Sequence, residues 1–351
     1  MEGRGRIRVV GFDASVVEER DELVDWGSDG DTTKSRMDLA WRRFKRNRTA
    51  IVGLAIILAM VLITIFAKQI QLAGVTIQPI ELAPKSTSEP NFGALSQEPT
   101  WVDPVSNGNF GALLESSTWE HPLGTDWAGR DSYSRHLYGG RFSLSIGFIA
   151  VGIAVLVGVP MGAIGGYYGG WVDEVVMRLV DILYAFPFLV LAVAIIAVLG
   201  QGYYRMILAL VIVGWIGYAR LIRGEILSVK ENEYVTAAKA LGASNRSIIF
   251  RHIVPNAMAP VIVQATLNVG TIVLAAAALG FLGLGLEPGT AEWGSMLSNG
   301  RETLIQGQWW VTIFPGLAIF LFVLSINLVG DGVRDAFDPQ GETRGQQRRA
   351  Q

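Results

Sequence analysis

The residues able to do chemistry are few. The chain has no cysteine and three histidines, His121, His136 and His252. Without cysteine there are no disulfides, thiolate metal sites or thiol nucleophiles. One candidate polar cluster is His121, Asp126, Arg130 and Asp131. An imidazole beside carboxylates can shuttle a proton or hold a cation. One histidine with two acids in a loop is thin for either task, so loop hydrogen bonding and contact with a partner are expected instead. Arg178 and Asp181 stand three apart inside an otherwise apolar stretch. Charge at bilayer depth usually signals function. Their i, i+3 spacing favours mutual neutralisation near the inner interface. No Gly-x-x-x-x-Gly-Lys-Ser/Thr occurs, so the chain has no P-loop for ATP. No serine–histidine pair or aspartate pair falls within an apolar run, which argues against intramembrane proteolysis. Paired broken helices in an inverted repeat, the mark of a stand-alone secondary transporter, are not evident either.

These groups must be held by membrane helices. Half of the 351 residues are apolar and 17% are charged, and the charges crowd into 1–48, 68–141, 220–251 and 331–349. The long uncharged runs between them read as helices in lipid. With a net charge of −2, no nucleic-acid partner is expected. The fold class is therefore all-α integral membrane, with six transmembrane helices at about 49–67, within 142–168, 176–199, 204–222, 258–284 and 311–330. The fourth has only a short uncharged centre, so Arg205 and Arg220 are expected to snorkel to the interfaces. Pro187 is expected to kink the third, and Pro315 to act similarly in the sixth. The first run reads as an uncleaved signal-anchor.

The chain divides into an acidic, disordered tail (1–33), a basic amphipathic segment with the first span (34–67), and an outer segment (68–140). A five-helix core (141–332) follows, enclosing the loop 224–257, and then a C-terminal tail (333–351). In 34–48, basic residues interleave with Leu39, Trp41 and Phe44, as in a helix lying on the membrane surface against lipid headgroups. Lys and Arg are dense before the first span, in 223–257 and in the tail, and sparse in 287–310. By the positive-inside rule both termini and the 223–257 loop lie in the cytoplasm of a multi-pass protein of the cell membrane. Gly158, Gly162 and Gly166 are spaced for close helix packing. Trp309 and Trp310 at the outer boundary read as interfacial anchors.

The 233–256 segment is the most informative. Tyr234, Ala237, Ala238 and Leu241 fall at i, i+3, i+4 and i+7, one apolar stripe on a short helix. Gly242 stops it, Ser244 caps a second helix, and Ile248, Ile249 and Ile253 give that helix an apolar side. Pro255 marks the turn into the fifth span. Two readings of the stripe stand: packing on the chain's own bundle, or docking in a groove on another protein.

The same residues resemble the EAA loop of ABC importer permeases. Thr236, Ala237 and Ala238 take the Glu-Ala-Ala places, with threonine for the usual glutamate. Gly242 takes the glycine, and His252, Val254 and Pro255 the last places, with histidine for isoleucine. Arg251, His252, Pro255 and Asn256 are similar to the Arg-His-x-x-Pro-Asn of the dipeptide/oligopeptide branch. His121–Asp126 with Gly129-Arg130-Asp131 and Tyr138–Arg141, Trp293–Leu297 with Arg301 and Trp309-Trp310, and Asp331–Asp335 with Asp338-Pro339 resemble the same branch. The resemblance, covering about 35–340, implies one permease subunit of a type I importer, of the second-permease kind, for peptides or a related small solute. It implies a homologous second permease, one or two kinds of P-loop ATPase subunit and an extracytoplasmic solute-binding protein as partners. ATP would be bound by those ATPases, with no cofactor, metal or catalytic residue in this chain. The coupling residues it implies are Tyr234, Thr236, Ala237, Ala238, Leu241, Gly242, Ser244, Arg251, His252 and Pro255.

Overall fold

The computed structural model describes residues 36–72, 75–83, 85–115 and 119–337. The acidic tail, Asp338-Pro339 and the basic C-terminal residues lie outside that set.

Helix α1 (Arg36–Phe44) precedes α2 (Arg48–Ile65). Asn47 starts α2 by accepting from the Ala50 N–H, which satisfies one of the orphan donors of a helix start. In α1, Ala40 and Phe44 are buried while Leu39 and Trp41 stay exposed, leaving an apolar edge for the acyl boundary. The outer segment holds a hairpin, β1 (Ile70–Leu72) and β2 (Val75–Gln78), and a one-turn helix at Val102–Ser106. This small sheet is the one departure from all-α among the described residues.

Helix α3 (Ser132–Tyr168) runs for 37 residues and starts well before the expected 142. Then come α4 (Gly170–Tyr184), α5 (Phe188–Leu199), α6 (Tyr203–Val229) and α7 (Glu233–Ala240). Helix α8 (Asn245–Phe281), α9 (Trp293–Leu304) and α10 (Trp310–Phe337) complete the chain. Among the described residues, five helices, α2, α3, α6, α8 and α10, are long and apolar enough to cross a membrane. The expected third span is not one rod. Its halves α4 and α5 meet at 87°, and counted together they make the sixth span. Pro187 stands at the break as the residue before α5. Proline lacks the N–H that would continue α4.

In lipid no hydrophobic drive pulls helices together, so close backbone approach must do it. The glycine row of α3 supplies this against α6. A Cβ on Gly162 would lie 2.1 Å from the Ala219 carbonyl oxygen, and one on Gly158 would lie 2.5 Å from that of Trp215. Arg141 binds the carbonyls of Thr64, Ile65 and Lys68, tying the end of α2 to α3.

One charge expectation changes. Arg178 contacts Glu174 at 3.5 Å, not Asp181. Asp181 instead pairs with Arg220 of α6 at 2.5 Å. Arg220 also lies over the Tyr184 ring at 4.1 Å. Arg205 turns back to donate to the Gln201 carbonyl at 2.7 Å.

Candidate functional site: the exposed helix pair between α6 and α8

Helix α7 is short, yet its ends are well made. Glu233 lies in its first turn and Lys239 in its last, each matching the helix dipole. At the C-terminus Gly242 donates to the Lys239 carbonyl and Ala243 to that of Ala238. That pair of bonds is a Schellman stop, whose residue after the cap takes left-handed backbone. Gly242 has φ +80°, so glycine is required there by conformation and not by space. Ser244 then accepts from the Ser247 N–H at 3.4 Å and opens α8.

Val235 is wholly buried, with Ile248, Ile249 and Ile253. These four anchor the unit to its own bundle. The predicted stripe does not. Leu241 is 87% exposed and Tyr234 41%, and Thr236 and Ala237 are exposed, with Ala238 half-buried. Of the two readings open from sequence, own-bundle packing falls to Val235, the isoleucines and, in part, Ala238, and Tyr234, Ala237 and Leu241 are left uncovered. Further ties hold the unit to the end of α3. Tyr167 donates its hydroxyl to Asn245 Oδ1 at 2.9 Å, the Lys239 ammonium lies 5.5 Å from the Tyr167 ring centre, and Lys230 reaches the Gly166 carbonyl at 3.3 Å. Neither Tyr167 nor Val235 was singled out in the sequence. Val235 sits between stripe positions in sequence and flanks the stripe on the helix, next to Ala238.

The expected turn at Pro255 is absent. Helix α8 runs on through it, with a π-helical stretch at Ile248–Ile253 just before. Proline cannot donate into the preceding turn, and a wider turn absorbs that loss. The Asn256 side chain donates to the His252 carbonyl at 2.6 Å. Arg251 is exposed and His252 half-buried. The second helix of the pair is therefore rigidly continuous with a membrane-crossing helix.

The other polar cluster sits at the far end of α3. His121 Nδ1 lies 2.8 Å from Asp131 Oδ1, and Asp131 Oδ2 caps α3 by accepting from the Ser134 N–H at 2.8 Å. Asp126 accepts from the backbone of Ala128 and Arg130 and from the Arg130 side chain, and Arg135 stands 3.5 Å away. All five side chains are buried. The cluster is a folded cap whose carboxylates are already engaged. Trp310, expected at the lipid interface, is buried too and donates to the Thr125 carbonyl at 3.0 Å.

Next to this cap, Glu292 is fully buried. It accepts from the N–H groups of Gly294 and Ser295 at the start of α9 and from the hydroxyls of Ser295 and Ser143. Burial pushes its carboxyl above the usual range, against the pull of those hydrogen bonds.

Residues 158–340 match the family described as binding-protein-dependent transport system inner membrane component. Residues 35–84 match the N-terminal TM domain of oligopeptide transport permease C. The chain belongs to the binding-protein-dependent transport permease family. It is 44% identical over 301 residues to the dipeptide transport system permease protein of Alkalihalophilus pseudofirmus, covering 86% of this chain and 89% of that one. It is 41% identical to the di/tripeptide transport system permease protein of Pseudomonas aeruginosa, over 86% and 91% of the two chains. With the glutathione transport system permease protein of Escherichia coli it shares 37% identity, over 86% and 89%. Membership makes the chain a multi-pass permease subunit of an ABC transporter and places the exposed helix pair inside the shared region.

Proposed function

We propose that this subunit forms half of an importer pathway for short peptides and takes its drive from separate ATPase subunits that seat on α7. One observation carries the reading: the helix that interrupts the core keeps Tyr234, Ala237 and Leu241 uncovered while Val235, flanking them, fixes it to the bundle. Tyr234, Ala237, Ala238 and Leu241 would enter a groove on the ATPase. Thr236, standing for the usual acidic residue, would make a neutral contact there. Gly242 and Ser244 hold the angle between α7 and α8, and Arg251, His252 and Pro255 lie along the stretch that carries the push into the membrane. ATP closing the ATPase pair then biases a two-state bundle from a distance. The transported class follows the dipeptide, di/tripeptide and glutathione permeases named above, and a second homologous permease and an outer receptor complete the assembly. The lysine and arginine distribution supports a cytoplasmic loop and cytoplasmic termini.

Co-expression with candidate ATPases tests this. They should co-purify with the native chain and be lost from a variant carrying charged residues at Ala237 and Ala238, with the bundle still folded. No ATPase bound in any combination would overturn the proposal.

A further inference from the structure

Helix α8 presents two unlike faces in the middle of its apolar stretch. On one, Gly270 lets Ile326 of α10 approach and Val273 packs on Gly147 of α3. On the other, Gln264, Asn268 and Thr271 follow at i, i+4 and i+7, continued by the small residues Ala275 and Ala278. Gln264 and Thr271 are exposed and Asn268 is half-buried. The amides are linked in order: Gln264 Nε2 donates to Asn268 Oδ1 at 2.9 Å, and Asn268 Nδ2 donates to the Tyr218 hydroxyl at 3.0 Å. Tyr218 is buried in α6, so the ladder is fixed at one end and open at the other.

Uncovered amides are costly against lipid tails, because nothing there replaces their hydrogen bonds with water. This face therefore looks onto water or protein. A cavity of about 560 Å³ adjoins it, bounded by Asn268 and Thr271, by Gly214 and Gly217 of α6, and by the break between α4 and α5. A broken helix is tolerated at this depth only beside protein or a water-filled space. The cavity lies within the size range of small-ligand sites, roughly 300–1,000 Å³. No charged side chain lines it. The nearby charges, Asp181 and Arg220, are spent on each other.

We infer that the Gln264–Asn268–Thr271 ladder is the solute-contacting strip of this subunit, and that it recognises the amide groups of a short peptide rather than its charges. Carbonyl and amide groups of the ladder can exchange hydrogen bonds with any peptide backbone. A strip without charge then passes acidic, basic and neutral side chains alike. This deepens the proposed peptide-importer reading and rests on it.

This chain has no native cysteine, so thiol labelling read on this subunit, separated from its partners, reports the introduced residue. The assembled transporter is reconstituted in liposomes, with Thr271→Cys or, as a control on the exposed lipid side of α2, Leu58→Cys. The probe is the membrane-impermeant sulfonatoethyl methanethiosulfonate, with and without trialanine. Thr271→Cys should label at least tenfold faster than Leu58→Cys and be protected by trialanine during ATP turnover. In parallel, Gln264→Leu with Asn268→Leu should raise KM for trialanine uptake about tenfold, leaving complex yield unchanged. Equal labelling of both cysteines, or an unreactive Thr271→Cys in a transporter that still takes up trialanine, overturns the strip; the second result would seat this face against the other permease. A native complex with no ATP-dependent peptide uptake overturns the importer reading itself, which keeps the two failures apart.

Discussion

At the start of α3, His121, Asp126, Arg130, Asp131 and Arg135 are buried and bound to one another. At its other end, 37 residues away, α7 buries Val235 and leaves Tyr234, Ala237 and Leu241 uncovered. The polar cluster, rich in groups that could do chemistry, spends them all on holding the cap closed. The apolar helix, with no chemistry to offer, keeps its surface free. Function in this chain follows from what is left unsatisfied, and an uncovered apolar stripe outside the bilayer is unsatisfied in the same sense as an unpaired amide within it.

The contrast can be broken from either side. The largest effect should come from the cap. Asp126→Ala leaves Arg130 and Arg135 buried without their carboxylate, and removing one partner of a buried ion pair costs about 3–5 kcal/mol. The expected result is a sharp fall in folded protein recovered from membranes and in thermal stability in detergent, with neither restored by ATPase subunits. Next comes the packing row between α3 and α6. Gly162→Leu sets a side chain where even a Cβ meets the Ala219 carbonyl at 2.1 Å. Overpacking of this kind costs about 1–3 kcal/mol, read as a lower unfolding midpoint.

Much of this was legible in the sequence. Uncharged runs located the spans, glycine spacing marked α3 as a close-packing helix without naming its partner, and the i, i+3, i+4, i+7 pattern found α7 and its stop at Gly242. Pro187 marked the kink in the third span, but not that it opens to an 87° break. Sequence pattern could not show that α8 passes through Pro255, since the π turn that absorbs the missing N–H is a three-dimensional remedy. Asp181 was assigned the nearer cation in sequence, and the true partner, Arg220, is 39 residues away. The stripe was visible, but the residue that decides which way it faces, Val235, lies off it.

A smaller effect concerns Glu292. Because burial raises its pKa, the folded protein holds that proton more tightly than the unfolded chain does. The stabilising contribution is complete below the ordinary carboxylate range and is lost as pH rises through the raised value. Unfolding midpoints of the native chain should therefore fall over that window. Glu292→Gln should flatten the slope, and parallel curves would contradict the assignment. Smallest of all for the bundle is Leu241→Asp. Surface substitutions usually stay within about 0.5 kcal/mol, so its unfolding midpoint should not move while ATPase binding falls.

That last variant gives the most direct test. Detergent-solubilised complexes of native chain and Leu241→Asp, each co-expressed with the second permease and ATPase subunits, are compared for ATPase retained per permease. The account predicts at least a tenfold loss of retained ATPase with an unchanged unfolding midpoint. Full retention of ATPase by Leu241→Asp would contradict it and place the docking surface elsewhere on the chain.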